Sequence, residues 1–195
     1  MNELKILRAA GYPRMPWKNG GGSTEEITRD AAADGAALDG FGWRVSIADI
    51  SVSGDFSRFA GYQRIITVLQ GEGMVLRVDG KDSRALQAFD AFAFDGASEV
   101  SSALLGGAIR DFNLIYAPER FRARLQWFDG ILPVSLLTSA GTVLVFSACD
   151  DLQVRIGGHG AQTLGIYDAL QLEAQGALTK VSLVGRCCVI ELQAV

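Results

Sequence analysis

The chain has 195 residues, 49% of them hydrophobic and 21% charged, which is enough to bury a real core and excludes wholesale disorder. Twenty-two acidic against eighteen basic side chains leave a formal charge of −4 with no basic arm, so nucleic acid is not expected as a partner. The single histidine, His159, argues against an imidazole-rich metal site and leaves Ser-His-Asp or Cys-His catalysis only that one residue. Neither a metal nor another cofactor is therefore expected. The cysteines Cys149, Cys187 and Cys188 are odd in number and suit buried thiols in a reducing compartment. Met1–Arg14 has no apolar stretch of the kind a secretion signal needs, and no later run approaches the ~18 apolar residues that span a bilayer. A soluble, cytoplasmic protein with no membrane partner is expected.

Along the chain, Pro16-Trp17-Lys18-Asn19-Gly20-Gly21-Gly22 comes first. Consecutive glycines permit positive φ and can aim N–H groups at an anion, and Lys18 and Asn19 add a charge and an amide. The same composition also suits a plain turn into a strand at Glu26-Ile27-Thr28, and no phosphate-loop pattern is present. Ala31–Ala37 reads as a mobile surface loop. Trp43–Ile47 alternates, with Arg44 and Ser46 on one face. Ile65–Leu69 and Met74–Val78 read as strands, the second ending in the hairpin signal Asp79-Gly80. Phe89–Phe94, Ile109–Tyr116, Phe121–Phe128, Thr142–Ser147 and Val181–Leu192 alternate in turn. With no long amphipathic helix, the class is all-β.

A weak internal repeat runs through these strands. Leu86 and Phe89-Asp90-Ala91-Phe92 match Leu164 and Tyr167-Asp168-Ala169-Leu170 at one constant offset (168 − 90 = 78). Residues 65–94 and 143–172 are expected to superpose, with Asp90 and Asp168 in equivalent places. Two related antiparallel units follow, 1–118 and 119–195, divided near Ala117-Pro118-Glu119 because proline cannot continue a central strand.

Two strand faces carry chemistry. Arg44 with Ser46, and Asp111 with Asn113, would project a guanidinium, a hydroxyl, a carboxylate and an amide into a barrel lumen if those faces point inward. If they point outward, they are ordinary solvated or sheet-stabilising groups. His159, in Gly157-Gly158-His159-Gly160, reads as an exposed turn residue, and Arg122 and Arg124 as a solvated face.

Met15–Gly22 followed by Trp43-Arg44-Val45-Ser46-Ile47-Ala48 resembles the HutD/Ves family of bacterial proteins. Phe56–Arg64, Leu69–Gly73, Phe92–Gly96 and Gly107–Asn113 continue the resemblance, which is dense over the N-terminal unit. It implies a double cupin, two barrel units of the RmlC-like type in one chain. Metal-binding cupins use a His-x-His…Glu…His set that this sequence lacks, so the resemblance implies a metal-free one. It also implies control of histidine utilisation, through a pathway intermediate such as formylglutamate or urocanate, or a stress-linked role as in the Ves branch.

The leading expectation is a non-enzymatic protein, with no catalytic residue, that binds a small carboxylate or amino-acid catabolite and regulates its use. The expected ligand residues are Trp17, Lys18, Asn19, Arg44, Ser46, Asp111 and Asn113, with Asp111 either pairing Arg44 in the empty state or accepting a hydrogen bond from a ligand N–H. Assembly as a homodimer is compatible with this. The alternatives are a metal-independent isomerase, epimerase or lyase using Asp111, Glu26 or Lys18 as acid or base, and an interaction module with a vestigial cavity.

Overall fold

Turn chemistry and alternation set the elements of the computed structural model, which describes residues 3–30, 40–174 and 176–195. The Ala31–Ala37 loop lies outside the described residues. The N-terminal half forms β1 (Glu3–Leu7), β2 (Arg14–Pro16), β3 (Gly22–Arg29), β4 (Trp43–Ile50), β5 (Gly54–Asp55), β6 (Gln63–Gln70), β7 (Met74–Val78), β8 (Lys81–Asp82), β9 (Ala91–Asp95), β10 (Val100–Leu104) and β11 (Ile109–Tyr116). Then follow β12 (Phe121–Phe128), β13 (Val134–Thr138), β14 (Thr142–Ser147), β15 (Leu152–Ile156), β16 (Gln162–Leu164), β17 (Ala169–Glu173), β18 (Thr179–Val184) and β19 (Cys187–Ala194). Asp79 and Gly80, at φ 47° and 79°, take the left-handed backbone that a two-residue hairpin demands, and they join β7 to β8. The stretch Val181–Leu192, read as one strand, is two: Gly185 at φ 124° breaks it between β18 and β19.

The chain divides into two compact units, Pro13–Arg120 and Phe121–Val195, the latter together with the stretch up to Tyr12. The N-terminal unit holds the sheets β2-β3-β4-β11-β6-β9 and β5-β10-β7-β8. The C-terminal unit holds β1-β17-β14-β19-β12 and β13-β18-β15-β16. From the sequence, residues 1–118 are expected to form the first unit. Instead β1 pairs with β17 from Glu3↔Glu173 to Leu7↔Ala169, and Leu4 and Ile6 pack on the C-terminal core. Asp168 fixes the end of β1 by accepting from the Ala9 N–H at 2.8 Å and from Arg8 Nη1 at 2.6 Å.

The two units share the order β4-β11-β6-β9, matched by β12-β19-β14-β17, with β2-β3 added beyond β4 in one and β1 beyond β17 in the other. The strands β4, β7, β9 and β11 begin and end 78 residues before β12, β15, β17 and β19 (121 − 43 = 78; 187 − 109 = 78). Phe89 and Tyr167, also 78 apart, both adopt positive φ, 65° and 64°. The Asp90 and Asp168 amides then donate to Gln87 and Gly165 carbonyls, each at 3.1 Å, so the two aspartates occupy equivalent turns. Other strands depart from the offset, β10 by three residues, since Leu76 lies opposite Ser102 and Val154 opposite Leu183 (183 − 102 = 81), and β6 by one. Asp111 lies opposite Val68, whereas its counterpart Val189 lies opposite Val145, an offset of 77 for β6 against β14 (145 − 68 = 77). A one-residue slip exchanges the two faces of a strand. Val143 and Val145 therefore face the C-terminal core, where the 78-residue offset would have put Leu144 and Phe146.

Ile50, Ile66, Val68, Met74, Leu76 and Ile109 pack between the two sheets of the N-terminal unit. That apolar core is the floor on which the site is built.

Candidate functional site

The strands that supply the floor also supply the site, because side chains alternate along each one. From β4, Arg44 and Ser46 share a face with Ala48 and Ile50; from β11, Asp111 and Asn113 share a face with Ile109 and Ile115. From β6, Arg64 precedes Ile66 and Val68 on the same side. Together they line a cavity of about 500 Å³ in the N-terminal unit. All seven residues expected from the sequence line it, Trp17, Lys18 and Asn19 arriving from the turn between β2 and β3. Arg64, Phe56 and Phe59 were not among them and line it as well. Arg64 was legible in principle, since it stands in phase with Ile66 and Val68, but the apolar run that marks the strand begins one residue later.

The glycine-rich segment is a hairpin turn with the Gly20 and Gly21 N–H groups already used. The Gly20 N–H donates to the Trp17 carbonyl at 3.0 Å, and the Gly21 N–H donates to Asn19 Oδ1 at 3.0 Å. It therefore does not present these amides to an anion. Its role is to seat Trp17 against the cavity, where the indole N–H donates to Thr24 Oγ1 at 2.9 Å.

Two guanidiniums meet in the cavity, and aromatic faces rather than carboxylates hold them. Arg44 lies 5.0 Å from the Phe41 centroid and 5.4 Å from that of Phe59. Arg64 lies 5.4 Å from the same Phe59 ring, 5.3 Å from Phe56 and 5.0 Å from Phe94. Such contacts retain the cation without neutralising it. Arg64, only 6% exposed, donates from Nη1 to the Ser57 carbonyl at 3.1 Å and from Nη2 to Asn113 Oδ1 at 2.8 Å. Burial lowers its pKa to about 10, with Asp111 opposing that shift and Arg44 adding to it, so it is charged at neutral pH. The Arg44 side chain makes no hydrogen bond or ion pair with any described residue, and its Nε is buried without a partner. Burial lowers its pKa too, against the attraction of Glu26.

Asp111 is 1% exposed. The expected Asp111–Arg44 pair does not form, because Asn113 stands between the carboxyl and the nearer cation: its Nδ2 donates to Asp111 Oδ1 at 3.1 Å while its Oδ1 takes Arg64. Asp111 Oδ2 is buried with no partner. Desolvation pushes this carboxyl up to about 7, although Arg64, Asn113 and the Ala48 amide all favour its ionised form.

Among the described residues no three His, Cys, Asp or Glu side chains gather closely enough to hold a metal ion. His159 sits half-buried in the turn between β15 and β16, its N–H bonded to the Ile156 carbonyl at 3.1 Å. Burial raises the Cys187 thiol to about 12 and Cys188 well above its ordinary value, which makes both poor nucleophiles. In the C-terminal unit the places of Arg44, Ser46, Asp111 and Asn113 fall to Arg122, Arg124, Val189 and Glu191. There Arg124 pairs with Glu191 at 3.5 Å, and no acid corresponds to Asp111.

A family model described as HutD matches residues 9–189. The chain belongs to the HutD family. An uncharacterised 21.2-kDa protein in the hutC 3′ region of Pseudomonas putida is 64% identical to it over 192 residues, covering 98% of each chain. The structure of HutD from Pseudomonas fluorescens SBW25, from a formate condition, matches at TM-score 0.89 and 55% identity, covering 99% of this chain and 100% of that one. Protein Ves of Escherichia fergusonii is 34% identical over 126 residues, 60% of this chain and 61% of its own. At the level of fold alone, the bacterial pirin YhhW of Escherichia coli matches at TM-score 0.68 and 10% identity, over 98% of this chain and 99% of that one. The HutD chain is thus an all-β double cupin, linked by name to the histidine-utilisation locus.

Proposed function

We propose that this HutD protein binds a small carboxylate in the cavity of its N-terminal unit and thereby regulates amino-acid, specifically histidine, utilisation. The observation that carries the reading is Arg44, a guanidinium held by Phe41 and Phe59 beside a second cation, with no protein acceptor among the described residues. A carboxylate supplies the paired acceptors that Arg44 lacks. Trp17 offers an apolar wall, and Ser46 and Asn19 offer orienting groups. Thermal-shift screening of small carboxylates, urocanate and formylglutamate included, should find saturable stabilisation. Calorimetry on Arg44→Ala should then show affinity about ten- to a hundredfold weaker, with Arg44→Lys in between. A ligand that binds all three folded proteins equally refutes the assignment.

One feature favours metal-independent catalysis instead: the buried Asp111 carboxyl, pushed up to about 7 by desolvation and left with an unpartnered oxygen, suits a general acid or base. NMR of each stabilising ligand incubated with the protein separates the two, because turnover consumes the ligand and binding leaves it intact.

A further inference from the structure

We propose that Asp111 is the proton-linked specificity residue of this cavity, so that an anion enters together with one proton, which the Asp111 carboxyl takes up. The inference rests on the carboxylate reading above and adds the protonation state in which the ligand is held.

The geometry leaves one outcome for Asp111. Its Oδ1 is occupied by the Asn113 amide, and that amide is itself fixed, because its own oxygen accepts from Arg64. Oδ2 remains buried, unpartnered and on the face that lines the cavity. A carboxylate drawn to Arg44 and Arg64 comes up against that oxygen. If Oδ2 is ionised, two like charges meet in a site where burial already disfavours one of them. If Oδ2 carries a proton, it donates a hydrogen bond to the anion, and this buried oxygen gains the partner it lacks.

The surrounding charges do not alter this balance. On β4, Arg44 shares the face of Asp111, and Asp49 lies on the opposite face, where it disfavours ionisation of Asp111. Arg64 is the charged group on β6. Lys18 and Asp55, of opposite sign, line the cavity from exposed positions. Glu26, Arg29 and Tyr62 act on Arg44. Both arginines stay protonated near neutrality, so the proton that accompanies the anion goes to Asp111.

Acetate serves as the probe, followed by NMR of protein carrying ¹³C-labelled aspartate. Saturating acetate should move the Asp111 carboxyl titration upward by about one pH unit or more. The acetate Kd should rise up to about tenfold per pH unit above pH 7. Asp111→Asn should bind acetate with a Kd that is flat from pH 6 to 8.5; if that variant does not fold, the wild-type carboxyl titration decides alone. Acetate binding equally at pH 6 and 8.5, or an Asp111 titration indifferent to acetate, overturns this inference and leaves the carboxylate reading standing. Acetate failing to bind at any pH overturns both.

Discussion

Phe59 is the residue on which the two cations depend in common, since its ring lies 5.4 Å from both Arg44 and Arg64. Its own position is set by rings from neighbouring segments, Tyr62 at 6.4 Å and Phe41 at 6.5 Å. Leucine there keeps most of the apolar bulk and deletes the π face. Phe59→Leu is therefore expected to lower stability by about 1–2 kcal/mol in urea unfolding and to weaken carboxylate binding, because both guanidiniums lose their shared support. A variant with unchanged stability and affinity would show the ring to be mere filler. At this scale the sequence was readable where alternation governs: Arg44 with Ser46 and Asp111 with Asn113 stand on the faces their spacing assigns. Phe56 and Phe59 were not, because they come from irregular chain after β5 with no period to place them. The missing Arg44–Asp111 pair was also beyond reach, since it depends on the Asn113 amide lying between the carboxyl and Arg64.

The β2–β3 hairpin is the element that shapes the cavity mouth, and its glycines serve different ends. Gly20 needs its positive φ of 72° but has open space around it. Gly22 has ordinary φ, and a Cβ there would sit 2.2 Å from the Asp49 carbonyl and 3.0 Å from the Trp17 ring. Gly20→Ala should cost about 1 kcal/mol through backbone strain. Gly22→Ala should cost about 1–3 kcal/mol, because a backbone oxygen cannot step aside, and it should displace Trp17, seen as a changed tryptophan emission. Equal, small effects in both variants would contradict the close approach at Gly22. The composition announced a turn or a binding loop without deciding which, since the answer lay in the partners of the Gly20 and Gly21 N–H groups. The displacement of β1 into the C-terminal unit was hidden for a related reason. Leu4 and Ile6 show alternation too short to notice, and the partner strand, β17, lies far along the chain.

At the scale of the whole molecule, the duplication was legible because strand spans repeat at 78 residues. The slip in β6 was not, because a single-residue change of register leaves similar apolar letters in similar places. The two units differ at the site itself, where Asp111 in one corresponds to Val189 in the other. For metal, the expectation is under about 0.1 equivalent of zinc, iron, manganese or nickel per purified chain by elemental analysis, since imidazole and thiolate ligands are so few. One stoichiometric ion would defeat it. The buried acid also sets how stability responds to pH. Its folded pKa, about 7, lies above the ordinary unfolded value near 3.8, so the folded state holds a proton that the unfolded chain has lost. Stability from this group is thus fully present below about pH 4, falls as pH rises toward 7 and is flat beyond. Asp49 and Asp168, both held low, act in the opposite sense: their stabilisation is present above their unfolded values and is lost only as pH falls through their folded ones. Between pH 5 and 7.5 Asp111 alone of these three contributes a slope, and the wild-type protein should lose about 2–3 kcal/mol across that interval in carboxylate-free buffers. Asp111→Asn cannot titrate there, so its urea midpoint should stay level while the wild-type midpoint declines. A wild-type profile that is flat or rising from pH 5 to 7.5 would mean that Asp111 is already ionised in the empty cavity.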